Sequence, residues 1–504
     1  MAETFKGYYL PPSLADVEQK LEMEERSMGD ARVLVPRLKP EDAYAIANTL
    51  RENRSKIATM PPATVADVYD RAISLWKNDT RPEKQAAMKY LPALTDMSPE
   101  MIERFLFGTL FKIDRRAIEA YLTLRLDEAA FKRFIPLEGT GTYMRGYMGL
   151  LGRVRFKYHA TTPKSVNLVM FLAPSGTPGY YECLGILLGS MVPTSTVVKT
   201  DPGQPLFAPM FARSVAAVSP DIGETFAVLP WKGGDAPVED AFIRQSSAVN
   251  VVGNTETTKA VESKINDMNQ RQGLEIKGCY HGSKLGFELI AKEHATRDVA
   301  RLAAIDGIGN EGHTSASPAF GYFVERGGPL SPEQFAEALA GEAGRLSQAI
   351  PQTPAHREAR EKKMAEMLAA PDSGRRAITA PGQDFAIIYE PKPSMKPDGQ
   401  DRLLRVMPIE RIEDVIPLLK PWTASLQTAG IAVPDSRLME LADRLGKAGI
   451  TSLRVTGTMT QPKLGEAWDG NLPVMEYYLP DAARWVSINA ISVDREIGQL
   501  TRAK

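Results

Sequence analysis

The chain has only two cysteines, Cys183 and Cys279, and five histidines. Two thiols cannot build a disulfide framework or a cysteine-based zinc centre, so the default reading is the reducing cytoplasm. Charge of one sign is also missing. The 61 basic and 62 acidic residues leave a formal net charge of -1, which gives no electrostatic case for nucleic acid or an anionic membrane. No apolar run reaches the roughly 18 residues of a membrane span. The opening MAETFKGYYLPPSLADVEQK lacks the basic start and apolar centre of a signal peptide. Long low-complexity segments and internal repeats do not occur either, so neither export, membrane insertion nor a repeat architecture is suggested.

What is present is ordinary for a large globular protein. With 504 residues, 43% hydrophobic and 24% charged, the chain is too long for one core and calls for two large domains or more. Residues 1–130 read as a mostly helical N-terminal region. DVYDRAISLW, PEMIERFLFGTLFKI and IDRRAIEAYLTLRL place apolar residues three and four apart. They hold no catalytic grouping, and a helical layer packed on a larger domain or a second subunit is the expected role.

From Val166 the rhythm changes to strand, turn, helix, strand: SVNLVMFLA, APSGTPGYY, ECLGILLGSMV, TSTVVKTD. LFAPMFARSVAAV, TFAVLPW, VEDAFIRQ, SAVNVVGN and TETTKAVESKIND continue it. Consecutive βα units of this length make a doubly wound, Rossmann-type sheet that binds ligands where strand ends meet helix starts, and a nucleotide is the leading expectation. Residues 131–295 are therefore expected to form the nucleotide-binding domain. In the turn after SAVNVV, Gly253 permits a tight bend and Thr255 is the expected N-cap, leaving amides that could hold phosphate. Lys199 and the Trp231, Lys232, Gly233, Gly234 turn stand at two further strand ends. A lysine there is more often solvated than bound.

Residues 296–480 read as a second, catalytic α/β domain, and 481–504 as a C-terminal arm that completes the nucleotide domain or an oligomer interface. Between the helical RDVARLAAIDGIG and the strand-like Tyr322-Phe323-Val324 lies Asn310-Glu311-Gly312-His313-Thr314-Ser315-Ala316-Ser317-Pro318, a small polar loop of the kind that displays a reacting group. Ser331-Pro332-Glu333-Gln334 is a capping-box helix start. Cys183 reads as core. Cys279 is either a displaced nucleophile or, more in keeping with a strand, a buried structural thiol. His281 and His313 have no third ligand at a recognisable spacing, so no metal site is expected.

The loop Asn310-x-Gly312-His313-x-Ser315 resembles the nucleophile loop of the aldehyde dehydrogenase superfamily, which reads Asn-x-Gly-Gln-x-Cys. Its continuation Ser315-Ala316-Ser317-Pro318 is similar to the Cys-x-Ser-Pro of the long-chain fatty-acyl and acyl-CoA reductase branch known from bioluminescence. AVLPWKGGD, VVGNTETTK, YHGSKLGFELI, FVERGGPLSPEQFAEAL, SLQTAGI and AWDGNLPV resemble that branch in the same order, over roughly residues 140–480.

The resemblance implies an aldehyde dehydrogenase-like α/β fold, NADP or NAD as cofactor and an acyl-CoA or acyl-carrier thioester as substrate. It also implies a homodimer or homotetramer, with an acyl-activating ligase as a possible partner. A nucleophile at 315 would take the acyl group, and reduction would release an aldehyde. Asn310, His313, Ser315 and Gly176 would make the catalytic set. Two positions depart from the pattern. Ser315 stands where the branch has cysteine, and Gly176 stands where the superfamily has the asparagine that helps hold the oxyanion. Tyr280 occupies the place of the glutamate that activates water in hydrolytic relatives. Ser315 leaves three readings open: an introduced substitution, native altered chemistry, or a thioester-binding relative that does not catalyse.

Overall fold

A computed structural model describes residues 3–122, 133–137, 140–148, 166–309, 319–370, 374–379, 382–397, 401–464, 466, 467, 469–471, 477 and 483–502. The chain divides into two compact units. The first comprises Met1–Thr123, Gly152–Ser283 and Pro473–Ala482, and the second Leu124–Leu151, Lys284–Leu472 and Ala483–Lys504.

The N-terminal region is not purely helical. Strands β1 (Thr4–Lys6), β2 (Glu22–Met28) and β3 (Ala31–Arg37) form a small sheet in the order β1-β3-β2. β2 is EMEERSM, charged at most positions, and such a strand does not show helical apolar spacing or a continuous apolar run. Helices follow at Pro40–Asn53, Pro62–Ser74 and Pro82–Thr95, each with proline at its first position, where a missing N–H costs nothing. Short strands β4 (Ile135–Leu137) and β5 (Thr142–Met148) belong to the second unit rather than to a nucleotide domain beginning at 131.

The expected doubly wound sheet is present. β6 (Leu168–Leu172), β7 (Ser195–Thr200), β8 (Phe226–Pro230), β9 (Ala248–Val252) and β10 (Lys277–His281) are all parallel, in the order β10-β9-β6-β7-β8. Alternate residues of β6 serve opposite faces. Leu168, Met170 and Leu172 join Ile46, Leu50, Phe242 and Val261 in one apolar cluster. Phe171 points the other way, against Gly185 of the helix Tyr180–Met191. Connections run from β6 to β7 and β8 on one side, then return to β9 and β10 on the other. The direction therefore reverses between β6 and β9, where sheets of this class leave a crevice at their carboxyl ends.

In the second unit, β11 (Leu285–Ile290), β12 (Ala319–Glu325), β13 (Arg376–Ala377), β14 (Ala386–Tyr389), β15 (Leu403–Ile409), β16 (Leu426–Ala432), β17 (Ser452–Val455) and β18 (Ala483–Ile488) join β4 and β5. The order is β13-β14-β15-β12-β11-β16-β17-β18-β5-β4. The run from β14 to β18 is parallel, and its edges are closed by antiparallel strands. The C-terminal segment expected as an arm supplies β18 and the helix Val493–Arg502 to this unit, with Val493 and Ile497 buried in its core. No helix among the described residues is long and apolar enough to cross a membrane.

Candidate functional site

The crevice end of the first unit is built by three turns. After β6, Gly176 adopts φ +75, an exposed left-handed turn, and its N–H donates to Asp201 Oδ2 at 2.9 Å. The other oxygen of Asp201 accepts the Gly203 N–H at 2.8 Å, so one carboxylate ties the turn after β7 to the turn after β6. After β9, Gly253 donates to the His281 carbonyl at 3.0 Å, and the helix Thr255–Gln272 begins. Its N-cap is Asn254, not Thr255. Asn254 keeps an extended backbone at φ -72 and ψ 165, and its side chain accepts the Thr257 N–H at 2.7 Å, whereas Thr255 already lies inside the first turn.

Lys199, at the end of β7, is buried rather than solvated, with its ammonium 5.8 Å from the centroid of the Trp231 ring. Burial lowers its pKa, against the raising influence of Glu239, Asp201 and Glu182. Trp231 is largely a core residue, stacked on Phe242 at 5.2 Å, but its indole N–H has no partner among the described residues. Lys232, Gly233 and Gly234 are exposed, and a Cβ placed at Gly176, Gly233 or Gly234 would meet no heavy atom within 4 Å.

In the second unit, the helix Arg297–Ile308, capped by Thr296 through the Val299 N–H, and β12 bracket the loop of Asn310, His313 and Ser315. Those three residues lie outside the described residues. Ser331 and Gln334 form the reciprocal capping box that the sequence indicates. Cys183 and Cys279 are both buried, Cys279 on β10 among Val166, Val169, Val192, Ala248 and Tyr477. His281 is buried at the end of the same strand, and Tyr280 packs partly against the sheet core. No cluster of three metal-ligating side chains occurs among the described residues.

Sequence reasoning passed over three buried acids. Glu182, Glu288 and Asp306 are each wholly buried. Burial first, then the charge of Asp201, pushes the Glu182 carboxyl up to about 8, with its own backbone N–H and then Lys199 opposing. Each acid sits in an apolar run, ECLGILLG, LGFELIA and LAAIDGIG, and an acid inside an apolar run is the signal that would have found them.

A family model described as Acyl-CoA reductase (LuxC) matches residues 57–478. The chain belongs to this acyl-CoA reductase family. Its members are oxidoreductases acting on acyl groups, and the match takes in the crevice turns, the two departures at Gly176 and Ser315, and the whole 310–318 loop. No curated protein matches the chain.

The acyl-CoA reductase chain is similar in structure to aldehyde dehydrogenases. A salicylaldehyde dehydrogenase from Pseudomonas putida G7, complexed with salicylaldehyde, gives a TM-score of 0.62 at 13% identity, covering 97% of this chain and 99% of that one. A Delta-pyrroline-5-carboxylate dehydrogenase from Mycobacterium tuberculosis gives 0.61 at 14%, covering 97% and 91%. Lactaldehyde dehydrogenase from Escherichia coli gives 0.57 at 11%, covering 97% and 100%. At such identities the likeness establishes the aldehyde dehydrogenase-like α/β fold.

Proposed function

We propose that this acyl-CoA reductase reduces an acyl thioester, of coenzyme A or a carrier protein, to an aldehyde through an acyl group held covalently at position 315. The family match over 57–478 carries this reading. The M. tuberculosis relative has also been solved with NAD bound, at 15% identity and a TM-score of 0.59, covering 94% of this chain and 88% of that one. The residues at the crevice end fit a dinucleotide. An orphaned indole N–H at Trp231, a lysine at the end of β7, open space above Gly233 and Gly234, and a helix start with its amides exposed are the donor set that a pyrophosphate and ribose require. When bound, the nicotinamide supplies hydride to the acyl carbon.

The side chain at 315 attacks the thioester carbonyl, the C–S bond breaks, and the thiol of coenzyme A leaves with the proton. After reduction, the bond between residue 315 and the acyl carbon breaks, residue 315 takes up a proton from solvent and the aldehyde departs. Tyr280, in the place of a water-activating glutamate, offers no general base, which protects the acyl group from hydrolysis. A serine hydroxyl is a far poorer nucleophile than a thiolate, and His313, two residues away, is the nearest base in sequence.

These departures favour a second reading, a relative that binds or transfers the thioester without reducing it. One experiment separates the two: loss of NADPH or NADH absorbance with a panel of acyl-CoAs, for the native chain and for Ser315→Cys. Aldehyde formed mole for mole with nucleotide oxidised, much faster in Ser315→Cys, is the expected result. Nucleotide binding without oxidation in either protein overturns the reductase reading. In the Ser315→Cys background, Gly176→Asn is expected to raise the rate about a hundredfold. Asparagine tolerates left-handed φ, and nothing blocks a Cβ there.

A further inference from the structure

The turn that opens β15 has an unusual backbone. Asp401 stands at φ +51 and Arg402 at φ +64, both left-handed and neither a glycine. Aspartate visits that region occasionally and arginine seldom, so two in succession persist only where their surroundings impose them.

Those surroundings are polar groups gathered around the helix Pro354–Ala369. Gln352 Nε2 donates to the Asp401 carbonyl at 3.0 Å. His356 Nδ1 stands 2.9 Å from Asp401 Oδ1 and is the donor, since a carboxylate only accepts. Arg402 donates to the Ile350 carbonyl at 2.7 Å, and its own carbonyl accepts the Ala386 N–H at 2.9 Å. Arg360 backs the set by donating to Gln352 Oε1 and to the Gln383 carbonyl. Gln352, Arg360 and Arg402 are buried, and His356 is half-buried. Burying a guanidinium is costly, and here two of them are used to fix backbone carbonyls.

What the turn fixes is the start of β15, and that start meets both ends of the segment 310–318. β15 pairs with β12 with Gly321 opposite Arg405, and the two strands begin level, at Leu403 and at Ala319, the residue after Pro318. Leu404 presses on the other end. A Cβ at Gly307, in the last turn of the helix Arg297–Ile308, would stand 2.6 Å from Leu404 Cδ1.

We propose that His356, Gln352 and Arg360 hold Asp401 and Arg402 in the left-handed conformation, and that β15 thereby fixes the two points between which the segment bearing residue 315 is strung. All five are positioning residues, and their bearing on catalysis rests on the reductase reading above.

Hydrogen exchange at the amides of 306–309 and 320–322 reads the two ends without turnover. Protection is expected to fall about tenfold in His356→Ala, which loses a hydrogen bond to a charged group. It should return to within about threefold of native in His356→Asn, whose amide offers a donor in place of Nδ1. The same return is expected when Asp401→Gly is added to His356→Ala, because glycine holds a positive φ without an anchor. Native protection in His356→Ala overturns the anchoring, and failure of both rescues overturns the left-handed turn as its target.

Acylation in Ser315→Cys, followed as coenzyme A released in one turnover without nucleotide, is expected to slow about tenfold on adding His356→Ala, while the Kd for NADPH or NADH stays native. Equal loss of both marks a merely structural role and overturns the positioning. Should His356→Ala not fold, Gly307→Ala decides. Alanine favours a helix, yet its Cβ would crowd Leu404, so slowed acylation supports the contact and native acylation overturns it. If Ser315→Cys is not acylated at all the proposed function falls, and exchange still decides the turn.

Discussion

Glu182 in the first unit and Glu288 in the second are equally buried carboxyls on regular elements, and what separates them is the neighbour. Glu182 has the ammonium of Lys199 and the carboxylate of Asp201 acting on it from the end of β7, and its carboxyl is pushed up only to about 8. Glu288 has another carboxyl and a hydroxyl acting on it, with no cation among the described residues contributing, and is held well above the usual carboxylate range. Burial sets the size of the disturbance in both, and the partner decides whether the group titrates near neutral pH or stays protonated. A buried acid beside a lysine can change charge as conditions or ligands change. One beside a second acid has that neighbour's charge raising its pKa further.

The comparison breaks first at Glu182. Its folded value of about 8 lies above the 4.5 of an unperturbed glutamate, so its contribution to stability is fully present below about pH 4.5 and is lost as pH rises toward 8. Native stability relative to Glu182→Gln is expected to fall by about 1.4 kcal/mol per pH unit across that window, roughly 3–5 kcal/mol in all, and to level off above it. Denaturant unfolding at stepped pH measures this, and a constant difference would mean that Glu182 does not titrate there. The second unit gives the next effect. Asp306→Ala strands the Gly457 and Met459 N–H groups and is expected to cost about 2–4 kcal/mol, read as a lowered urea midpoint at unchanged slope.

Lys199→Met sharpens the contrast by making Glu182 resemble Glu288. The Glu182 titration should move above 8, and dinucleotide affinity, by isothermal titration, should weaken about tenfold or more. An unmoved titration would show that Lys199 does not act on Glu182. Smallest is the pair of helix caps. Asn254→Ala and Thr296→Ala should each cost about 1 kcal/mol in thermal unfolding. Only Asn254→Ala, at the crevice end, should also weaken dinucleotide binding.

Much of the fold was legible along the chain, because parallel strands buried on both faces are continuous apolar runs bounded by turns. β6, β7, β8 and β9 fall where SVNLVMFLA, TSTVVKTD, TFAVLPW and SAVNVVGN place them. β2 was not legible, since a charged strand on a small sheet carries no apolar period. The cap at 254 was missed by one residue because Asn254 and Thr255 are both good capping types, and only the backbone angles separate them. Lys199 gave no sign in sequence of being buried, since its concealment comes from Trp231 and from helices distant along the chain.

By itself the sequence determined the class of chemistry, through ordered segments that resemble acyl reductases, and the two departures at Ser315 and Gly176. Those are facts of residue identity and need no coordinates. Which strands lie side by side, where the sheet reverses between β6 and β9, and which carboxyls face a cation or another acid were decided only by tertiary structure. Strand order and side-chain neighbours join residues far apart along the chain, such as Asp306 and Gly457, and no local period encodes which distant partner a buried group will meet.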